Sequence, residues 1–184
     1  GPAGTAKTYI AVLAGLTLLK EHKLDKIIYI RSIVESATKS IGALPGELDE
    51  KFKPWSLPML EKMHEIMTPQ AANKLIAEEA VKCIPVNFVR GLTFNDSFVI
   101  IDEAQNLTKE ELVTILTRFG HNSKFVVVGD SKQRDIGGLS GFANILRALK
   151  GDDCDAHGIH SISFSQDEIV RSQILRFIVS KLGC

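Results

Sequence analysis

Lys7 and Thr8 close the run GPAGTAKT at residues 1–8. The spacing follows GxxxxGK[ST], in which successive backbone N–H groups wrap phosphate oxygens, the lysine reaches the outer phosphates and the hydroxyl serves magnesium. Gly1, Gly4, Lys7 and Thr8 match the pattern, with Pro2, Ala3 and Thr5 between them, and Ala6 stands where the pattern carries glycine. An added methyl group tolerates positive φ poorly, so the effect of Ala6 turns on one backbone angle. This position joins loop to helix, and a helical backbone would take alanine at little cost. Reduced or normal binding of a nucleoside triphosphate is the expectation. Taken alone, the run could also be an ordinary turn with a fortuitous lysine.

Two more constellations follow. VIIDEAQN at 99–106 sets two carboxylates at the end of an apolar run. Asp102 is suited to orient magnesium through its water shell, and Glu103 to position or deprotonate an attacking water. Both side chains can approach one crevice because alternation breaks down at a strand end; either could instead cap the following segment. GDSKQRD at 129–135 supplies Gln133, whose amide can accept from the attacking water or donate to the terminal phosphate. Asp130 could orient it or close the turn, and a plain surface glutamine is the alternative. Together these residues describe in-line attack of water on a γ-phosphate, with Lys7, the loop amides and magnesium stabilising the charge. A further cation would assist. Arg31, Arg90, Arg118, Arg134 and Arg171 are candidates, each equally able to serve as a surface or ion-pair residue. Arg171 comes first because it precedes the C-terminal helix and can reach its own site or a neighbour's.

The elements that must position these groups read as alternating helices and apolar strands. YIAVLAGLTLLK at 9–20 is helical directly after the loop, and KIIYIR at 26–31 is a short buried strand. IGALPGELDEKFKPWSLP at 41–58 is turn-rich and then a loop, feeding a helix from about Pro58 to Met67. Thr68-Pro69 restarts a helix that runs through AANKLIAEEAVK. IPVNFV at 84–89 and SFVIID at 97–102 read as strands. KEELVTILTRF at 109–119 is a helix capped by Thr108 with Glu111 three residues on. KFVVVGD at 124–130 repeats the strand that ends in aspartate. A helix over 141–149, a strand around HSISF and a final helix near 167–182 complete the chain. Continuous apolar strands between helices predict an α/β fold, a mostly parallel sheet with helices on both faces.

With 184 residues and 45% hydrophobic content, the chain can bury one substantial core, and one domain over 1–184 is expected. Lys plus Arg equals Asp plus Glu at 22 each, so no overall field draws nucleic acid or membrane. The three cysteines are widely spaced without CxxC, which disfavours a zinc site or disulfide framework and suggests reduced thiols. No membrane helix, signal peptide or transit peptide is legible, so a cytoplasmic location is expected. Phe52 and Trp55 with Lys51 and Lys53 could stack bases and touch phosphates, or could simply pin a long connection to the core.

Joined in order, GPAGTAKT, IGALPGELDEKFKP at 41–54, FVRG at 88–91, DEAQN at 102–106, GDSKQRD at 129–135 and DEIVRS at 167–172 resemble the PhoH-like family of phosphate starvation-inducible ATPases along essentially the whole chain. LPGELDEK is the most specific of these elements. The resemblance implies a RecA-like P-loop NTPase core related to helicase cores, with an insertion at about 41–95 and with ATP and Mg²⁺ held by Lys7, Thr8 and Asp102. It also implies a homo-oligomer, commonly a hexamer, with single-stranded RNA or another polynucleotide as partner. The sequence departs from the family at Ala6, and at Ser172 where histidine is usual. No strand is legible ahead of Gly1, where such a loop normally leaves a buried one, so a sheet without its first strand is expected. A nucleotide-gated binding or scaffold protein with little turnover is the alternative function. A small-molecule kinase is disfavoured, since DEAQN and GDSKQ supply water activation and sensing in place of an arginine-rich lid.

Overall fold

A computed structural model describes residues 1–2, 4–32, 48–130, 141–170, 173, 174, 177 and 181, with backbone alone over 48–55. Four strands form one all-parallel sheet in the order β2-β1-β3-β4: β1 Lys26–Arg31, β2 Val81–Pro85, β3 Ser97–Asp102 and β4 Lys124–Val127. Strand β3 lies between β1 and β4, and every residue in it is buried. Its continuous apolar run needs cover on both sides, and side-chain alternation distributes that run between two cores.

Tyr29, Ile27, Phe98 and Ile100 face one core, closed by helices α1 (Lys7–Lys20), α2 (Leu48–Ile66) and α3 (Pro69–Ala77) through Ala11, Val12, Leu16, Met59, Met63 and Ala72. Ile28, Ile30, Val99 and Ile101 face the other, closed by α4 (Lys109–Leu116) and α5 (Gly141–Ala148) through Leu112, Ile115 and Phe142. This is the doubly covered parallel sheet that the apolar strands predict. Since parallel strands end together, the carboxyl ends of β1, β3 and β4 define one crevice.

Several elements differ from the sequence expectation. Helix α2 begins at Leu48 and runs through Pro54 and Pro58, well before the expected start. Burial of Met59 and Met63, one turn apart, outweighs the donors lost at the prolines. Helix α3 ends at Ala77 because Glu79 takes a left-handed φ of 56°, which turns the chain into β2 three residues earlier than read. Val86–Phe88 is then a short 3-10 turn instead of strand. HSISF forms no strand and pairs with no strand among the described residues, and Ile162 is 80% exposed. A short helix, α6, at Asp152–Ala156 was not foreseen. The turn-rich part of the 41–58 expectation lies outside the described residues, as do the side chains of KFKPW.

Candidate active site

The loop before α1 is shaped by two left-handed residues, Gly4 at φ 84° and Ala6 at φ 55° and ψ 21°. The expected helical backbone at Ala6 is therefore wrong. The chain must turn inward before Lys7 can begin the helix, and this reversal needs the left-handed region that glycine fills freely. Thr5, buried, donates its hydroxyl to the Pro2 carbonyl at 2.9 Å and braces the turn. Helix α1 has no side-chain cap and no acidic residue in its first turn. Its first N–H groups thus point at the cleft without a carboxylate to satisfy them, in contrast to α4, where Thr108 and Glu111 form a complete capping box.

Lys7 folds back over the loop. Its Nζ donates to the Gly1 and Pro2 carbonyls, each at 2.6 Å. Burial pulls this ammonium below its ordinary pKa, while Asp130, Glu103 and Asp102 oppose the shift in that order. Thr8, the next residue, donates Oγ1 to Asp102 Oδ1 at 3.0 Å, joining positions 94 residues apart.

Asp102 ends β3 and Glu103 leaves it by a left-handed turn, φ 52° and ψ 41°. That turn brings both side chains to the cleft, and the Glu103 N–H donates to Asp102 Oδ1 at 3.0 Å. The Ala104 N–H donates to the Val128 carbonyl at 2.9 Å, anchoring the turn on the segment that follows β4. On Glu103 itself, Gln105 Nε2 donates to Oε2 at 2.5 Å and Arg31 approaches Oε1 at 3.9 Å. Gln105 Oε1 in turn accepts from the Asp130 N–H at 3.0 Å.

These groups line a cleft of about 540 Å³ that also takes in Tyr9, Lys62, Glu65, Gly129 and Val170. Gly1, Pro2, Gly4, Thr5, Ala6, Lys7, Thr8, Asp102 and Glu103 are thus gathered at one place as their spacing predicts. Ala3, Gln133 and Arg171 lie outside the described residues, as does Arg134. Val170, the neighbour of Arg171, donates its N–H to the Gly4 carbonyl at 3.1 Å, and Ile169 is fully buried. Of the other candidate arginines among the described residues, Arg31 lies against a cleft carboxylate, Arg90 is exposed, and Arg118 donates to the Thr114 carbonyl of α4 at 3.2 Å.

The family described as PhoH-like protein matches residues 1–182. The chain belongs to the PhoH-like family. Among PhoH-like relatives, one from Bacillus subtilis (strain 168) is 38% identical over 181 residues, covering 97% of this chain and 55% of the relative. One from Mycobacterium tuberculosis (strain H37Rv) is 37% identical over 179 residues, covering 97% of this chain and 50% of the relative. A Bacillus subtilis protein named PhoH2 is 36% identical over 159 residues, covering 82% and 36%. The chain spans about half the length of the PhoH-like relatives it matches.

The all-parallel sheet with helices on both faces fits the P-loop NTPase core of the PhoH-like family. Sequence reasoning missed two residues of this core. Gln105 stands inside DEAQN but received no role, although it bridges Glu103 to Asp130. Tyr29 sits in the apolar strand KIIYIR, and its hydroxyl donates to Asp102 Oδ2 at 2.6 Å. A single polar atom among isoleucines was the only signal for it. Burial and the adjacent Asp102 push the Tyr29 phenol well above its ordinary pKa, so it remains a donor. Cys83, half-buried in β2, has its thiol pushed up to about 12 by desolvation, and Cys83 and Cys154 are free thiols. Among the described residues, no helix is long and apolar enough to cross a membrane.

Proposed function

We propose that this chain binds ATP with Mg²⁺ at the loop of residues 1–8 and hydrolyses it. The observation that carries the reading is the 3.0 Å contact between Thr8 and Asp102, which joins the loop to the end of β3. In this reading the loop amides and the first N–H groups of α1 hold the β- and γ-phosphates. The Lys7 ammonium donates to two loop carbonyls and, at 3.4 Å, to Thr5 Oγ1, and in this reading it exchanges these loop partners for the outer phosphates when nucleotide binds. Glu103, steadied by Gln105, orients the attacking water and takes its proton. Gln133 senses the terminal phosphate, and Arg171 supplies the additional cation.

The residues present suit magnesium. Thr8 Oγ1 and Asp102 Oδ1 are hard oxygen donors side by side, which matches an ion bound through one or two protein oxygens, substrate phosphates and water. Among the described residues, no group of three or more His, Cys, Asp or Glu is placed to hold a metal by itself. Charge also suits magnesium. Lys7 and Lys62 line the cleft together with Glu65, Asp102, Glu103 and Asp130, an acidic excess that would repel a bare triphosphate. Magnesium would neutralise phosphate oxygens and the charge that develops on them.

The test is Mg²⁺-dependent ATP turnover. Glu103→Gln is expected to preserve binding and to reduce turnover by about 10²-fold or more, and Lys7→Ala to abolish triphosphate binding. An unchanged rate in E103Q removes Glu103 from the chemistry; unchanged affinity in K7A removes the loop assignment. Family membership alone supports the further proposal that turnover in a homo-oligomer, a hexamer in the form the resemblance implies, remodels single-stranded RNA or another polynucleotide. Tight ATP binding without turnover under every condition would favour the nucleotide-gated binding or scaffold protein.

A further inference from the structure

We infer that Tyr29 is a positioning residue for magnesium: its hydroxyl clamps Asp102 Oδ2 so that Oδ1 stays aimed at Thr8 and the metal's water shell. The inference rests on the ATP and Mg²⁺ reading above.

Strand β1 has no other reason to carry a hydroxyl. Its neighbours Ile27, Ile28 and Ile30 are buried apolar residues, and Tyr29 is itself only 1% exposed. Phenylalanine would fill the same volume without a polar atom that must be satisfied. The hydroxyl is satisfied by Asp102, at 2.6 Å, the length of a charge-assisted bond to an ionised carboxylate.

The two oxygens of Asp102 thereby have separate tasks. Oδ2 is bound by Tyr29, while Oδ1 accepts from Thr8 Oγ1 and from the Glu103 N–H, both at 3.0 Å. A carboxylate at a strand end, free to turn about its χ angles, would present either oxygen to the cleft. With Oδ2 tied to β1, one rotamer is selected before any nucleotide arrives. Both ends of the tie stand on hydrogen-bonded neighbouring strands, with Tyr29 opposite Ile100 and Arg31 opposite Asp102 in the β1–β3 register. Tyrosine also has only two χ angles to restrain. Such partners behind a metal ligand typically change metal affinity by about 10–100-fold when removed.

The test uses a fluorescent, non-hydrolysable ATP analogue titrated with Mg²⁺ on wild type and Tyr29→Phe. Metal-free affinity is expected to stay close to wild type, because the ring is retained and the phosphate loop is untouched, while the melting temperature falls by several degrees because Asp102 Oδ2 loses a buried partner. The Mg²⁺ concentration for half-maximal tight binding is expected to rise about tenfold or more. In an Asp102→Asn background, Y29F should add little further shift, since it acts through the carboxylate. A wild type that responds to Mg²⁺ and a folded Y29F with the same midpoint overturn the inference alone. A wild type indifferent to Mg²⁺ overturns the magnesium reading and this inference with it. Should Y29F melt without cooperativity, 3-fluorotyrosine at position 29 keeps ring and hydroxyl. Its fluorine resonance should then move on adding Mg²⁺ to the nucleotide-bound protein, and a resonance that stays in place overturns the inference.

Discussion

Ala6 adopts φ 55° because the loop must reverse before α1, and an L-residue held there carries a penalty of about 1–2 kcal/mol. Ala6→Gly releases that strain but widens the unfolded ensemble, which returns about 0.4–1 kcal/mol. The expected net gain is about 0.5–1.5 kcal/mol, read as a melting temperature higher by about 1–6 °C. An unchanged or lower value would show that the loop accommodates alanine without strain. Glu103 has the same left-handed backbone, and there the strain accompanies a side chain brought back to the cleft. The types and spacing of Lys7, Thr8, Asp102 and Glu103 were legible in the sequence because loop and strand-end motifs are local patterns. Tyr29 was not, since its meaning lies in one oxygen whose partner is 73 residues away. Nor was the angle at Ala6, which is set by the turn the loop makes and not by the residue's own preference.

Helix α1 carries both Lys7 and Thr8, so its seat on the sheet sets the distance from loop to Asp102. Gly15 makes that seat close: a Cβ built there would lie 2.8 Å from a ring carbon of Phe98 and 3.3 Å from the Ile27 side-chain tip. The buried Phe98 ring cannot swing aside as a flexible chain end would. Gly15→Ala therefore lifts the helix, and overpacking of about 1–3 kcal/mol outweighs the gain of about 1 kcal/mol in helix propensity. Expected are a lower melting temperature and weaker Mg²⁺-linked nucleotide binding; a more stable variant would refute this account of the seam. At α4, Thr108→Ala removes the capping box and is expected to lower stability by about 1 kcal/mol, measured by denaturant midpoint, with little effect on nucleotide binding. Caps and buried strands announce themselves locally, which is why α4, β1 and β3 were legible. The start of α2 was not, because its prolines argue for a loop and the burial of Met59 and Met63 that opposes them is visible only in the assembled core. HSISF fails for the complementary reason. Alternation suggests a strand, but a strand exists only with a neighbour.

At the scale of the molecule, the chain places its cleft at the common carboxyl end of the strands and presents Ile162, Val170 and Ile174 on its surface. Such side chains scattered singly are ordinary on a protein surface, and the assembly proposal rests on family membership. That proposal predicts a solution mass of several chains and ATP turnover stimulated by single-stranded RNA; a monomer with unstimulated turnover would remove both partner proposals. The bond between Thr8 and Asp102 has a kinetic consequence as well. It closes a stretch of 94 residues, and α1, β1, α2, α3 and β2 all lie within that stretch. Until β1 and β3 have paired, the loop faces no carboxylate and Mg·ATP has nothing complete to bind. Long-range closures of this kind belong to late steps of folding. Nucleotide should therefore leave the refolding rate of the chain nearly unchanged and slow its unfolding, acting as a latch on a finished structure and not as a template for an unfinished one.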